Sequence, residues 1–296
     1  GSWLLDKFII EKKSSIKGAL FMILSAASFA AAHSGVRELS DQVHPFATAF
    51  YRNIFGIIFL LPWLLKNNFV VLKTKHLKLH TLRGVLNSGF MLGFFFALSL
   101  IPIAEATALN FTAPLFASLL AVIVLKEFVG WRRWVALFIG FASTLIILQP
   151  GAEIISFGAI LVLFASLSWA GSMIALKKLS NTESSLTSTL YLVLVLTPVT
   201  FVFAFPHLLI PNLEQLIWLV EVAVTSTIAQ FFLSESLKNG DASAVAPYDF
   251  SRLIWAAIFG YILFDEVPNI WVWLGGALIF TSVAYISYRE AKNKLK

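Results

Sequence analysis

The chain reads as long apolar blocks parted by short polar breaks. Ten blocks can be drawn, at roughly 16–36, 45–65, 81–100, 104–125, 131–148, 155–176, 184–204, 215–235, 242–263 and 269–287. Each is near the ~20 residues that a helix needs to cross a bilayer. Pro45, Pro102, Pro150, Pro206, Pro211 and Pro268 mark several of the breaks, where helices end readily. The pattern predicts an all-α integral membrane protein with ten transmembrane helices and almost nothing outside the bilayer.

Composition agrees with the pattern. Hydrophobic residues make up 58% of the 296 and charged residues 13%, and mean hydropathy is +0.84. A soluble domain carries about twice that share of charge. With no cysteine, disulfides, thiol catalysis and cysteine metal sites are excluded. No cleavable signal peptide is read at the start. The net charge of +6 does not form a nucleic-acid patch, because the cations sit between apolar blocks. Lys7, Lys12, Lys13 and Lys17 precede block one; Lys66, Lys73, Lys75, Lys78 and Arg83 lie between blocks two and three. Lys126, Arg132 and Arg133 follow block four, Lys177 and Lys178 block six, Lys238 block eight, and Arg289, Lys292, Lys294 and Lys296 end the chain. All fall on one side if both termini are cytoplasmic, and the other side receives only Arg37, which sets the orientation by the positive-inside rule.

The two halves repeat. An offset of 140 pairs Gly18 with Gly158, Phe29 with Trp169 and Tyr51 with Tyr191. An offset of 139 pairs Asn110 with Asp249, Phe111 with Phe250, Glu127 with Glu266 and Trp134 with Trp273. Five crossings per copy is an odd number, so the second copy must be inverted. Residues 1–150 and 151–296 are therefore expected to be two inverted five-helix repeats, with a site near midplane between them.

Charge inside the blocks points to chemistry. The stretch 241–263 carries Asp249 and Arg252 within a crossing, at about 2.5–3.5 kcal/mol each on insertion scales. They are three apart and share a helix face. Tyr248, Arg252, Trp255 and Phe259 fall on one stripe, which reads as a cavity wall. Arg252 could grip a carboxylate or phosphate through its planar fork, or pair internally with Asp249. Arg52, in Phe50-Tyr51-Arg52-Asn53, could attract anionic solutes or snorkel to headgroups. His33, one turn from Phe29 and from Arg37, could bind solute, carry a proton or serve as a satisfied hydrogen-bonding residue. Trp169, Tyr248 and Tyr51 suit an apolar pocket with a polar handle, and also simply fill bundles. Asn110 joins the candidates as the counterpart of Asp249. Pro114 and Pro247 interrupt their helices and read as hinges or static kinks. Glu127 and Glu266, at block ends, read as structural. No metal site or cofactor is expected.

Two segments carry a family resemblance. Ala97-Leu-Ser-Leu-Ile-Pro-Ile-Ala-Glu-Ala-Thr-Ala-Leu-Asn-Phe-Thr-Ala-Pro-Leu-Phe-Ala, closing in Leu125-Lys-Glu127, and Ala246-Pro-Tyr-Asp-Phe-Ser-Arg-Leu-Ile-Trp-Ala-Ala-Ile-Phe-Gly-Tyr-Ile-Leu-Phe-Asp-Glu266-Val-Pro resemble the EamA family of the drug/metabolite transporter superfamily. The resemblance covers roughly 16–290 and departs at Asp265, where Gly is common. It implies ten helices in two inverted repeats around a central cavity, and alternating access for small organic solutes. It implies an amino acid or related metabolite as solute, with a vitamin or nucleotide-like metabolite such as riboflavin or S-adenosylmethionine as the alternative. The expected setting is the bacterial inner membrane. Proton coupling and exchange both stay open, as do monomer and homodimer. An intramembrane aspartyl enzyme would need a second aspartate on a facing helix, whereas Asp241 shares the helix of Asp249, so no catalytic residue is assigned. ATP coupling has no phosphate-binding loop to support it.

Overall fold

The computed structural model describes residues 2–124, 130–148, 156–240 and 245–294, which are helical with no strand among them. Eleven α-helices are described: α1 (Ser2–Leu39), α2 (Pro45–Lys66), α3 (Leu77–Leu98), α4 (Ile103–Asn110), α5 (Ala113–Val124), α6 (Trp131–Leu148), α7 (Phe157–Leu179), α8 (Ser185–Ala204), α9 (Leu213–Asn239), α10 (Ser251–Phe264) and α11 (Ile270–Lys294). Eight spans among the described residues are long and apolar enough to cross a membrane, one of them formed by α4 and α5 together. The other two expected crossings are present as helices. One is α6; the other is α10, only 14 residues long and entered through a 3-10 segment, Ala246–Phe250. Glu127, the boundary expected at 150–151 and the start of the 241–263 stretch lie outside the described residues.

The helices pack in pairs: α1 along α9, α3 along α7, α2 along α8 and α6 along α11. Without water between the helices, close approach must come from small side chains and polar contacts. On α3, Gly89 faces the Ser168 hydroxyl and Gly93 faces Ala165, both on α7. On α1, Ser25 donates to the Ala229 carbonyl (2.8 Å), and Ser236 of α9 donates to the Gly18 carbonyl (2.7 Å). Between these contacts lies a buried core that includes Phe94, Leu98, Leu109, Phe111 and Leu115.

Loops are pinned at both ends of the bundle. At one end Arg37 Nε meets Glu266 Oε1 at 2.5 Å, and Arg37 Nη1 donates to the carbonyls of Leu98 (2.6 Å) and Ile101 (2.8 Å). The other Glu266 oxygen accepts the Ile103 amide at 3.3 Å, which starts α4. Glu266 therefore ties three loops together. At the opposite end Tyr191 donates to the Leu72 carbonyl and Thr74 to Glu183.

Two ends carry measurable consequences. Asp265 closes α10 with φ 52°, in the left-handed region, while the Glu266 amide bonds back to the Gly260 carbonyl at 3.1 Å. That is the position where a helix end favours glycine, which explains the glycine expected there. Asp265→Gly should raise stability by about 0.5–1 kcal/mol, the backbone relief less the added chain entropy; thermal unfolding in detergent measures it. At the start of α2, His44 Nδ1 accepts the Phe46 amide at 3.1 Å, and its ring stacks on His207 at 3.6 Å. Burial, and secondarily His207, lowers the His44 pKa from its usual 6.5. A protonated ring cannot accept the amide. Its contribution to stability is therefore complete above about 6.5 and lost as pH falls through the lower folded value. Unfolding midpoints between pH 7 and 5 should show this loss, and His44→Asn should remove it while keeping a capping oxygen.

Candidate functional site

Span four breaks where α4 ends at Asn110 and turns through Phe111 and Thr112 into α5, with Pro114 in the first turn of the new helix. The 3-10 segment ahead of α10 likewise has Pro247 in its first turn, where a missing amide costs nothing. The two interruptions meet. Phe111 packs on Phe250 at a tilt, with ring centres 4.1 Å apart. Arg252, only 3% exposed, lies beside this contact. Its Nη2 lies 3.1 Å from Asp249 Oδ2. The Asn110 amide, oriented by its hydrogen-bond network, donates to Ser166 Oγ at 2.8 Å and accepts from Arg252 Nη1 and Nη2 at 3.0 and 3.1 Å. Ser166 in turn donates to the Val162 carbonyl. The Phe111 ring centre is 5.5 Å from the guanidinium carbon. Arg252 Nε is buried without a partner among the described residues. Asn110 and Asp249, counterparts in the two halves, thus hold the same guanidinium.

One turn along α7 from Ser166, Trp169 begins an aromatic cluster. Trp169 meets Phe90 at 4.7 Å and the edge of Phe29 at 5.8 Å. Phe90 stacks on Phe94 at 5.2 Å, and Phe94 packs on His33 at 4.7 Å. His33 is buried, and its Nδ1 has no partner among the described residues. Ser166 and Trp169 are three apart and share a face of α7, so the polar and aromatic groups form one continuous buried cluster. Its rings and its guanidinium and amide are the groups that would stack and orient a flat ring.

The other expected residues lie elsewhere. Tyr51 donates to the Leu209 carbonyl and stacks on Phe55, as its counterpart Tyr191 clamps Leu72 at the far end. Tyr248 is 46% exposed. It lines an open apolar groove of about 360 Å³ with Ile23, Leu253, Trp273 and Phe280. The stripe expected to join Tyr248 to Arg252 assumes continuous α geometry. The 3-10 turn advances about 120° per residue instead of 100°, which swings Tyr248 away from the face of Arg252. Arg52 is buried in α2, with Nη1 donating to Asn53 Oδ1 at 3.2 Å.

Three buried polar groups were not singled out from sequence. Arg83, placed with the loop cations, is 1% exposed inside α3 and donates to the Ser188 carbonyl (2.9 Å) and Gln230 Oε1 (3.2 Å). Gln230 of α9 is buried with it. Glu221 of α9 turns a buried oxygen, without a partner among the described residues, toward Gly35 of α1, where a Cβ would lie 2.1 Å from it. A polar residue one turn along the same helix is the available signal: Asn87 beside Arg83, Thr225 beside Glu221.

Comparison with known proteins fits these features. The model of the EamA-like transporter family matches residues 16–149 and 156–288. A riboflavin transporter of Vibrio cholerae is 33% identical over 288 residues, covering 95% of this chain and 96% of that protein. An S-adenosylmethionine uptake transporter of Rickettsia bellii is 32% identical over 279 residues, covering 94% and 96%. A crystal structure shares the fold with TM-score 0.64 at 17% identity, over 96% of this chain and 99% of the other. Matched over both halves, this multi-pass membrane protein belongs to the EamA-like transporter family.

Proposed function

We propose that the chain is a secondary transporter for a small metabolite bearing a flat heteroaromatic ring, of the riboflavin or S-adenosylmethionine kind, in a bacterial inner membrane. The observation that carries this reading is the buried cluster of Phe29, Phe90 and Trp169 continuous with Ser166, Asn110 and Arg252. Rings stack there, and the polar groups fix their orientation. The names of the relatives favour this solute class over the amino acids expected first. A transporter needs no catalytic group, and none is invoked.

Ten crossings in two inverted halves, 1–150 and 151–296, complete the proposal. In its support, the packing survives exchange of the halves: α1 on α9 mirrors α7 on α3, and α3 on α8 mirrors α9 on α2. The interrupted spans carrying Asn110 and Asp249 would sit on the axis relating the halves, as discontinuous helices do at transporter sites. Pro114 and Pro247 would let those spans bend, and His33, facing the aromatic lining, is the candidate proton carrier. Both termini face the cytoplasm in this scheme. A cysteine at Ile210 should then react with an impermeant thiol reagent from outside and one at Lys75 should not; labelling at 75 would reverse the topology.

Calorimetric titration of the purified protein with riboflavin and with S-adenosylmethionine tests the solute class. One of them should bind, and Trp169→Ala should weaken it about tenfold, the loss of one aromatic stack. Binding of neither would reject the class.

A further inference from the structure

Two more arginines are buried in the bundle, on helices other than that of Arg252. Arg52 of α2 and Arg83 of α3 are each 1% exposed. Both heads face α8 and α9. Arg83 holds the Ser188 carbonyl and Gln230. Arg52 Nη1 lies 3.4 Å from where a Cβ on Gly56 would stand, and that point is 3.1 Å from Thr227 Oγ1 and 3.6 Å from Val193. Thr227 and Gln230 are one turn apart on α9, and Ser188 and Val193 are five residues apart on α8. The Gly56 position beside Arg52 and the partners of Arg83 are therefore about 5–8 Å apart along the bundle, while Asn53, which accepts from Arg52, reaches on to Thr200 of α8.

Both are permanently charged, yet neither joins the ion pairs among the described residues, which are Arg37 with Glu266, His80 with Glu183, and Arg252 with Asp249. Of the acids on neighbouring elements, Glu183 engages Thr74 and His80, Glu235 engages Ser185, and Glu221 of α9 turns toward Gly35 of α1. Arg52 Nε, Arg83 Nε and the Thr48 hydroxyl one turn from Arg52 are buried without partners among the described residues. Two like charges with unused donors, out of water, are complementary to an anion.

The pair also aligns with the aromatic lining. Arg83, Asn87, Phe90 and Phe94 follow one stripe of α3, and Asn87 bonds Ser172, one turn from Trp169. Arg83 and Phe90 are about 10 Å apart along that helix. We propose that Arg52 and Arg83 hold the anionic group, carboxylate or phosphate, of the transported solute while its ring lies against Phe90 and Trp169. The inference rests on the metabolite-transporter reading and narrows it: S-adenosylmethionine carries such a group and riboflavin does not.

The test uses matched pairs on the wild-type protein. These are S-adenosylmethionine against its decarboxylated form, and riboflavin 5′-phosphate against riboflavin. The anionic member of at least one pair should bind about ten- to a hundredfold tighter, the worth of charge-assisted hydrogen bonds. Arg52→Gln or Arg83→Gln should erase that preference, while Arg83→Lys keeps part of it. Equal affinity within each pair overturns the proposal, including the case in which chloride alone stabilises the protein, since the arginines would then hold a resident inorganic ion. Thermal unfolding with acetate or phosphate at fixed ionic strength separates the two readings. Stabilisation of the wild type, lost in both Gln variants, supports the anion site even if all four ring compounds fail to bind, a result that would sink the ring reading alone. No binding and no stabilisation overturns both.

Discussion

The double replacement Asp249→Asn with Arg252→Gln should give a folded protein whose transport falls about a hundredfold or more. The expectation follows from what surrounds the guanidinium. Arg252 is held by Asp249 on one side and by both of its terminal nitrogens on Asn110. Removing one member of such a buried set leaves the other uncompensated, at about 3–5 kcal/mol. Asp249→Leu should show part of that cost, because Asp249 is 27% exposed. Asn110→Leu removes hydrogen bonds to a charged group but no charge, and should cost about 1.5–3 kcal/mol. The double variant removes both charges together and leaves neutral amides able to bond Asn110, so folding returns. Transport does not return if the guanidinium faces solute. Arg252→Lys keeps the charge without the fork and should raise KM about tenfold. Initial rates, normalised to folded protein in the membrane, decide the case. Wild-type rates with unchanged KM in the double variant would reduce the trio to scaffolding.

Gly84→Ala should be the most damaging single methyl in the bundle. A Cβ there would stand 2.3 Å from Val195 Cγ1 and 2.5 Å from Val195 Cβ. The first atom can rotate aside; the second is one bond from the α8 backbone and cannot. Helices α3 and α8 must separate, and overpacking of this kind costs about 1–3 kcal/mol. The displacement also pulls Arg83 off the Ser188 carbonyl, since Arg83 is the neighbour of Gly84 in α3. Gly93→Ala makes the control on the same helix, because its Cβ would meet Ala165 at an ordinary 3.4 Å. Unfolding in detergent should separate the two variants clearly. Equal midpoints would mean that α3 and α8 are less tightly packed than described.

Apolar block length made most of the helices legible, because a bilayer dictates length and polarity together. The constant offset between halves brought out pairs that meet in space: Phe111 with Phe250, Phe29 with Trp169, Asn110 with Asp249 around Arg252. Tyr248 was misplaced by assuming one helical geometry through Pro247. Arg83 was hidden by its own context. A cation close to a lysine-rich loop counts naturally as a loop cation, but α3 begins at Leu77 and draws Arg83 into its second turn. Glu221 depends on Gly35, far away in sequence, to make room for it. A single sequence carries no sign of that pairing, because the complementarity is between helices.

On the proposed function, a ring-bearing metabolite crosses the bilayer past Trp169, Asn110 and Arg252 without an energy-supplying partner. Counterflow tests it most directly: purified protein in liposomes preloaded with unlabelled S-adenosylmethionine or riboflavin, no ATP, and trace label outside. For one of the two, label should accumulate transiently above its equilibrium level, and Trp169→Ala should suppress the overshoot in equally folded protein. Label entry no faster than in empty liposomes for either solute would contradict the account.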